Sequence, residues 1–410
     1  MAHVAVIGAG FVGLSSAYWL IRDGHQVTLV DPAGAAGGAS FGNAGTFANY
    51  ACIPVNNPTV FRDLPRYLLS STSPLRLRWA YLPQLLPWLL GFLRSSTTSR
   101  YIHSATALAT LLGRAQHGYT DMIAQAGLDG FIRQRECLYL YSSAATFEAA
   151  RPTLELRRRL GVATRILGNG EITSLEPSLQ PLFARGALFE GSWHLTDPSA
   201  FLHALLHWLV AKGLQVQAAQ VRAIRPTTDH VVLGTDAGSA QFDSVALCAG
   251  VYSKALAMQC GDTVPMEAER GYHLKYPATS HLISRPVGWA ERGFYMTPMA
   301  QGIRVAGTVE LAGLGAHKHQ GLLDLLHFSA QRALPELGEP TEPWLGFRPS
   351  LPDGLPVLGR SRNSARVIYA FGHQHIGLTL GGLSGMVVAD QLAGRASVID
   401  TGPFSAARFR

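Results

Sequence analysis

MAHVAVIGAGFVGLSSAYWLIRDGHQVTLVD, residues 1–31, is the stretch that decides the fold. Its apolar, β-branched run at 4–7 predicts a strand, residues 14–22 predict a helix, and residues 26–30 predict a second strand. Strand, helix and strand in this order form a βαβ unit. We therefore expect an α/β protein with a Rossmann-like domain that begins at the first residues.

The turn of this unit reads G-x-G-x-x-G, with glycines at Gly8, Gly10 and Gly13. One such glycine allows the tight bend, one lets the backbone approach a pyrophosphate, and one lets helix and strand pack closely. Asp31 follows Gly13 by 18 residues, where its carboxylate can accept hydrogen bonds from a ribose. An acid there disfavours the 2′-phosphate of NADP, so the turn predicts a site for NAD or FAD.

Length and charge set the broad class. A chain of 410 residues exceeds what one hydrophobic core normally supports, so two domains are expected. The net charge of +7 is not accompanied by basic runs interleaved with aromatics, so we expect no nucleic-acid partner. The densest basic stretch, residues 151–159, predicts a solvated helix face, and a positive surface that meets anionic lipid or an acidic substrate is the alternative.

The cysteines and the amino terminus indicate the compartment. No C-x-x-C spacing links Cys52, Cys137, Cys248 and Cys260, so neither a zinc site nor a disulfide framework is predicted. The amino terminus enters its first strand without the basic segment and cleavage site of a signal peptide. We expect a reducing, cytoplasmic location.

The most apolar stretch is YLPQLLPWLLGFL, residues 81–93. Its 13 residues include two prolines and a glycine, so it is too short to span a bilayer. Flanking arginines and aromatics suit a segment that lies on the inner face of the cytoplasmic membrane. A buried helix pair is an equally good interpretation.

Later segments complete the domain organisation. Residues 197–217 predict an N-capped helix and a strand, residues 221–250 short strands, and residues 366–394 a strand, a glycine-rich turn and a helix. We therefore expect a nucleotide-binding domain built from residues 1–50, 194–250 and 345–410. Residues 51–193 and 251–344 then form a substrate-binding domain, a mainly antiparallel sheet plus helices, in which GYHLKYP, GFYMTPM and GIRVAGTVE are neighbouring strands.

The second glycine-rich turn distinguishes between NAD and FAD as the cofactor. A nicotinamide dehydrogenase normally completes its nucleotide-binding fold without interruption, whereas here the second turn lies about 360 residues from the first. A carboxyl-terminal turn of this kind brings backbone N–H groups and a helix N-terminus to the pyrimidine end of a flavin, where reduction develops negative charge. FAD is therefore favoured over NAD.

Four segments carry a family resemblance: the opening unit, ASFGNAG at 39–45, GFRPSLPDGLPVLG at 346–359 and FGHQHIGLTLGGLSG at 371–385. In this order they resemble the D-amino acid dehydrogenases among the D-amino acid oxidase-type flavoproteins. ERGYHLKYP at 269–277 further resembles the hydroxyproline-type members. The resemblance implies FAD, oxidation of an amino acid to its imine, and electron transfer to a quinone or another respiratory-chain acceptor.

Two departures from the family pattern refine these expectations. Relatives with covalent flavin carry a cysteine just before the Pro-Asp-Gly turn, and this chain has none there, so noncovalent FAD is expected. The glycine-rich turn holds two histidines, His373 and His375, where relatives often show one. Without a third ligand in the sequence nearby, we expect no metal.

The chemistry assigns roles to a few side chains. Hydride transfer from Cα to flavin N5 needs orientation more than a strong base. Arg348 is the candidate that binds the substrate carboxylate bidentately, as its counterpart does in the family; a structural arginine paired with Asp353 is the alternative. The resemblance also implies that Tyr295 contacts the substrate. Tyr272 and His373 are further candidates, for which a core tyrosine and a surface or structural histidine are the alternatives.

The resemblance also implies the residues that hold FAD. Gly8, Gly10, Gly13 and Asp31 are expected to bind the adenosine diphosphate. The other expected contacts, to the flavin, the pyrophosphate and the adenine, are Ser40, Asn43, Ala44, Gly45, Val221, Gly372, Gly377, Leu378 and Thr379.

The resulting expectation is a FAD-dependent D-amino acid dehydrogenase for which D-proline or hydroxy-D-proline is favoured. One alternative is an oxidase of glycine or sarcosine type that uses oxygen. Another is a noncatalytic flavin-binding subunit of a larger dehydrogenase complex. The exact substrate, its acceptor and the oligomeric state are not encoded in these patterns.

Overall fold

The computed structural model describes residues 1–59, 73–341 and 343–409; the part of the expected substrate domain at 60–72 lies outside them. The helices are α1 (Phe11–Arg22), α2 (Leu82–Ser95), α3 (Thr98–Arg114), α4 (His117–Ala126), α5 (Ala144–Arg159), α6 (Asn169–Leu175), α7 (Pro198–Ala211), α8 (Ser253–Gln259), α9 (Gln320–Ala333) and α10 (Gly377–Ala393).

The strands of the described residues form four sheets. In chain order they are β1 (His3–Ile7), β2 (Gln26–Val30), β3 (Thr46–Phe47), β4 (Leu75–Leu77), β5 (Ile132–Arg133), β6 (Cys137–Tyr141), β7 (Thr164–Gly168), β8 (Arg185–Phe189), β9 (Trp193–Leu195), β10 (Gln215–Gln217), β11 (Val221–Pro226), β12 (Val231–Thr235), β13 (Gly238–Phe242), β14 (Ser244–Leu247), β15 (Glu267–Pro277), β16 (Val287–Trp289), β17 (Phe294–Met299), β18 (Gly302–Leu311), β19 (Trp344–Ser350), β20 (Val357–Arg360) and β21 (Val367–Phe371).

A six-stranded sheet holds the amino terminus. Its order is β10-β2-β1-β14-β21-β20, and only β20 runs antiparallel to its neighbour. Alternate residues of β1 enter different cores, because Val4 and Val6 pack with the helices and Ala5 and Ile7 pack on the side of β11–β13. Burial on both faces explains the continuous apolar runs of these strands.

The two helices that follow glycine-rich turns of this sheet pack against each other. A Cβ at Gly385 of α10 would lie 2.5 Å from the Ser15 backbone of α1, and one at Gly381 would lie 3.1 Å from Phe11. These glycines lie inside α10 rather than in the turn before it. They let the backbones of α1 and α10 touch.

The nine-stranded sheet carries the other face of the molecule. Its path is β19-β15-β18-β17-β16-β6-β8-β7, and β4 pairs with β18. β15 and β17 both run antiparallel to β18, so the expected neighbourhood of the segments at 271–277, 293–299 and 302–310 is confirmed. One face of this sheet packs against α9.

Two segments pack with a different part of the molecule from the domain to which the expected division assigned them. β19, assigned above to the nucleotide-binding part at 345–410, pairs with β15 in the nine-stranded sheet, because the chain turns only after it, at Pro352. Helices α3 and α4, assigned to the substrate part, bury apolar side chains against α1 and α10. The domain division at 51 and 345 stays a prediction.

The two stretches singled out by composition are both helical. In α5, Arg151 pairs with Glu148, and Arg158 with Glu155, at exposed positions, so the solvated basic face is confirmed. Helix α2 buries Leu85 and Trp88 and exposes Leu86 and Leu90. Among the described residues, no helix has the length and apolar composition needed to cross a bilayer.

Candidate functional site

The first glycine-rich turn shows why two of its glycines are needed. Gly8 has a φ of +107°, and a Cβ there would lie 2.5 Å from the Cys248 carbonyl oxygen. A Cβ at Gly13 would lie 1.8 Å from the Gly8 carbonyl oxygen. The turn therefore brings helix α1 and strand β1 into backbone contact, as a dinucleotide site requires.

The N-terminus of α1 has features of an anion-binding site. Gly10 is its N-cap and supplies no side-chain cap, and the first helical turn holds no acid. The Ser40 Oγ accepts from the Phe11 N–H at 3.2 Å, so Ser40 lies at the same turn. Asp31 accepts from the Ala9 N–H at 2.8 Å and from the Ala33 N–H at 2.8 Å. A helix N-terminus with one acid at its side fits the pyrophosphate and ribose of a dinucleotide.

The segment 39–45 is held between the two sheets. The Arg304 Nη1 donates to the carbonyls of Phe41 at 3.0 Å and Asn43 at 2.7 Å. The Asn43 Oδ1 accepts from the Gly45 N–H at 2.7 Å, and Gly45 has a φ of +75°. Ala44 lies in the same bend. The segment is thereby fixed beside the first turn.

Two aromatic side chains of the nine-stranded sheet support the same segment. The His273 Nδ1 lies 3.2 Å from the Gly42 carbonyl oxygen. The Trp344 ring stacks on His273 at 5.0 Å, and a Cβ at Gly42 would lie 2.0 Å from that ring. Burial lowers the pKa of His273 to about 3, so this contact is made by a neutral imidazole.

The second glycine-rich turn, residues 372–379, contacts the chain just after that segment, at Ala48. The Thr379 Oγ1 accepts from the Ala48 N–H at 2.9 Å, and the Tyr119 hydroxyl donates to the Leu378 carbonyl. Gly372 has a φ of +82°, and a Cβ there would lie 2.4 Å from Leu351. Gly377 begins α10, whose N-cap has no side-chain hydrogen bond.

Two of the expected site residues, Val221 and His373, make contacts outside these turns. Val221 begins β11 and pairs with Thr235 in the sheet beside β1. The His373 ring is buried against α10, where its Nε2 lies 2.8 Å from the Ser384 Oγ. Burial lowers the pKa of His373 to about 3. His373 is therefore neutral and sits behind the turn.

Arg348 lies on the face of the nine-stranded sheet opposite α9. Its Nη1 donates to the Thr308 carbonyl at 2.8 Å, and its Nη2 donates to the Gly307 carbonyl at 3.3 Å. The guanidinium crosses Gly271, where a Cβ would lie 2.3 Å from Nη2. Asp353, the alternative partner considered above, pairs instead with Arg408. Arg348 thus lies over the sheet, held by two carbonyls.

Strand alternation decides which tyrosine shares this face. Ala306 pairs with both His273 and Tyr295, so Tyr295 points to the same face as His273. Tyr295 lies 5.8 Å from Tyr139, and burial raises its pKa. The structure therefore brings Tyr295 to the sheet face that carries Arg348.

Tyr272 lies on the opposite face. Its hydroxyl donates to Glu310 at 2.5 Å and accepts from the His319 N–H at 2.9 Å. Arg270 forms an ion pair with the same Glu310 at 2.8 Å. Tyr272 therefore belongs to a buried polar network beside α9, and the structure does not bring it to Arg348.

Arg348 and Glu269 are desolvated groups of opposite charge that act on each other. Burial lowers the pKa of Arg348, and the nearby Glu269 opposes that shift. Burial likewise raises the pKa of Glu269, which Arg348 opposes. Both side chains keep some accessible surface. Accessible yet desolvated groups of opposite charge indicate an internal cleft that suits a charged ligand.

Sequence reasoning missed several residues that shape the site. Gly271 leaves the room that Arg348 occupies, and Arg304 and His273 fix the 39–45 segment. The ERGYHLKYP stretch contained two of them, but nothing in its spacing distinguished them from ordinary strand residues. Within the described residues, no cluster of three or more His, Cys, Asp or Glu could hold a metal. All four cysteines are buried and free.

Comparisons with known proteins agree with this geometry. The chain is 36% identical to a D-amino-acid oxidase of Bradyrhizobium diazoefficiens, over 99% of each protein. It is 32% identical to a D-amino acid dehydrogenase of Paramagnetospirillum magneticum, over 99% of this chain and 98% of that protein. The glycine oxidase structure from Geobacillus kaustophilus shares the fold, with a TM-score of 0.74 at 21% identity, over 100% of this chain and 99% of that one.

A family model gives the assignment. The model described as DAO, FAD dependent oxidoreductase, matches residues 3–391. This range includes both glycine-rich turns and Arg348. The turns fit FAD in the way described above, with helix N-termini that hold no acid in their first turn, backbone contact at Gly13 and one acid at Asp31. The chain belongs to the DAO family of FAD-dependent oxidoreductases, and FAD is its cofactor.

Proposed function

We propose that this enzyme oxidises D-amino acids and passes the electrons to a quinone or another respiratory-chain acceptor. D-proline and hydroxy-D-proline are the favoured substrates. Relatives named D-amino-acid oxidase and D-amino acid dehydrogenase support the general reaction. The preference for D-proline rests on the resemblance of residues 269–277, which form most of β15.

The observation that carries the proposal is the environment of Arg348. Its guanidinium is desolvated, and within the described residues no carboxylate lies within 4.0 Å of it. Two of its five N–H groups are used by the carbonyls of Gly307 and Thr308. A desolvated guanidinium with free N–H donors costs free energy unless an anion pairs with it. A substrate carboxylate is an anion that can bind it in bidentate geometry.

In this proposal the site residues of the chain orient the substrate and the cofactor. Arg348 fixes the carboxylate, and Tyr295 borders the bound substrate on the same sheet face. The residues at 372–379 and 39–45 hold the cofactor against this face. Bound FAD supplies the acceptor for the α-hydrogen and its two electrons. Trp344 packs tightly over Gly346 and Gly42 on the same face.

The first test measures turnover by the isolated protein. D- and L-amino acids are mixed with enzyme and an artificial dye acceptor, and dye reduction is followed. We expect reduction with D-amino acids and the highest rate with D-proline or hydroxy-D-proline. Reduction only with L-amino acids or glycine would contradict the substrate class. A protein that carries FAD but reduces dye with no amino acid would favour the noncatalytic subunit.

The second test concerns the acceptor. Enzyme reduced with substrate under anaerobic conditions is mixed with oxygen or with a soluble quinone, and flavin reoxidation is recorded. We expect fast reoxidation by quinone and slow reoxidation by oxygen. Fast reaction with oxygen would identify an oxidase.

An exposed apolar face supports delivery of electrons to membrane quinone. Trp79 is 60% exposed, and Leu86 and Leu90 of α2 are each 47% exposed. Residues 64–120 contain six arginines and no acid, and Arg78 and Arg94 beside α2 are exposed. Apolar side chains within a basic surface fit the interface of an anionic membrane.

Vesicle sedimentation tests this contact. We expect the protein to sediment with phosphatidylglycerol vesicles and to stay in solution with phosphatidylcholine vesicles. The double change Leu86→Glu and Leu90→Glu should abolish sedimentation, whereas Val210→Glu, at an exposed position on α7, should not. Equal sedimentation of all three proteins would contradict membrane contact through α2.

A further inference from the structure

His375 is exposed between neighbours that are buried or half-buried. Gly372, His373 and Ile376 are buried, whereas the His375 side chain is accessible. Nevertheless, desolvation is the main cause that lowers its pKa to about 4. A side chain that is both accessible and desolvated faces an internal cleft rather than bulk water. The second cause is Arg348, so this cleft is the one that Arg348 borders.

The backbone explains how His375 reaches Arg348. Gln374 adopts a φ of +48°, which is uncommon for a residue other than glycine. Its N–H donates to the Pro349 carbonyl at 3.2 Å, and its side chain reaches the Leu351 carbonyl at 3.4 Å. The turn is therefore fastened to the strand end directly after Arg348, and the following residue, His375, is close enough for the Arg348 charge to act on it.

The His375 ring has hydrogen-bonding capacity that the protein does not use. In the part of the chain that the structure describes, neither ring nitrogen has a hydrogen-bond partner, in contrast to His373, which meets Ser384. The positive charge of Arg348 opposes protonation of the ring. A neutral imidazole has one nitrogen that accepts a hydrogen bond. His375 therefore offers an acceptor next to a cation.

An α-amino acid matches this pair of groups. Its amino nitrogen lies two bonds from the carboxylate carbon, about 2.5 Å away by standard bond lengths. A carboxylate bound to Arg348 consequently places the amino group within reach of the neighbouring ring. We propose that the His375 imidazole accepts a hydrogen bond from the substrate's amino nitrogen while Arg348 holds its carboxylate. This inference rests on the proposed function, because it takes an amino acid as the substrate.

The test compares two ligands that differ only at the amino nitrogen. D-proline is one, and (R)-tetrahydrofuran-2-carboxylate, in which an ether oxygen replaces the nitrogen, is the other. Calorimetry gives the dissociation constant of the ether acid, and anaerobic flavin reduction gives that of D-proline. For His375→Leu we expect roughly 10–100-fold weaker D-proline binding, as expected when a buried donor loses its acceptor. Binding of the ether acid should change less than about twofold, because it has no donor to lose.

Matched variants separate a substrate contact from a structural role. His375→Asn keeps an acceptor and should retain most of the D-proline affinity. Arg348→Lys should weaken both ligands. His207→Asn, at an exposed position on α7, should weaken neither. The FAD-to-protein ratio should be unchanged in both His375 variants.

The outcomes are distinguishable. The role of His375 would be overturned if His375→Leu weakened the binding of both ligands equally, or if it weakened the binding of neither. Loss of FAD in both His375 variants would also overturn it. Failure of the wild-type protein to be reduced by any D-amino acid would instead overturn the proposed function. An Arg348→Lys effect without a selective His375 effect would leave the carboxylate site standing and remove only the inference about the amino group.

Discussion

The Gly8–Gly13 turn and the strand pair β15–β19 both depend on glycine, but for different partners. At the turn, Gly13 makes room for backbone, the Gly8 carbonyl at 1.8 Å from a would-be Cβ. On β15, Gly271 makes room for a side chain, the Arg348 guanidinium at 2.3 Å. Backbone cannot move without unfolding the turn, whereas an arginine can shift. The first region should therefore tolerate less change than the second.

The largest effect is expected for Gly13→Ala. The added methyl group overlaps the Gly8 carbonyl, so α1 must separate from β1 and the FAD turn opens. We expect a loss of more than about 3 kcal/mol in free energy of unfolding and little bound FAD. Thermal unfolding and the FAD-to-protein ratio measure both. Gly113→Ala, in helix α3 with no atom within 4 Å of the new Cβ, is the matched control. Full FAD occupancy with unchanged stability would remove the distinction between the regions.

The next effect is expected for Arg348→Lys. Lysine keeps the charge but loses the two-pronged geometry, so substrate affinity and flavin reduction should fall by about 2–4 kcal/mol of transition-state stabilisation in total. Stopped-flow reduction over a range of D-proline concentrations gives both constants. FAD content should stay near that of the wild type. Loss of FAD or of folding would instead indicate a structural arginine.

Gly271→Ala tests the second region without removing a charge. The methyl group displaces Arg348 from its carbonyl partners, and we expect about 1–3 kcal/mol weaker substrate capture with unchanged FAD content. Gly315→Ala, with open space around its Cβ, serves as the control. A variant that binds substrate as well as wild type would show that Arg348 works from another position.

The smallest effect concerns His273, which lies on β15 and contacts the 39–45 segment beside the first turn. Its pKa is about 3 in the folded protein and near 6.5 in the unfolded chain. As the pH falls below 6.5 the unfolded state binds a proton that the folded state does not, so stability decreases. Between pH 6.5 and 5.5 we expect wild type to lose about 1 kcal/mol more than His273→Asn. Urea unfolding at the two pH values measures this difference, and identical losses would contradict it.

The sequence predicted the parts of the fold that depend on short-range spacing. The βαβ unit, the Asp197-capped helix α7 and the final strand and helix all appear where the patterns placed them. The spacing of Gly8, Gly10, Gly13 and Asp31 sufficed because a turn is local. The D-amino acid family assignment likewise followed from contiguous motifs.

Features that depend on contacts between distant residues could not be predicted from the sequence. That β19 joins β15 depends on pairing between Glu269 and Arg348, which are 79 residues apart. Tyr295 and Tyr272 were both candidates in the sequence, and only the register of β15 and β17 on β18 shows that they lie on opposite faces. The exposure of His375 depends on the backbone angle of Gln374 and its bond to Pro349, which no spacing rule encodes.

The order of strands in the six-stranded sheet has a consequence for how the protein forms. β1 pairs with β14, some 240 residues later, and β14 pairs with β21, about 120 residues later again. Helix α1 also needs α10, which ends at Ala393, to cover it. A chain emerging from the ribosome cannot close this core until α10 has been made. Folding should therefore be slow, dominated by distant contacts, and exposed apolar strands should make the growing chain dependent on chaperones.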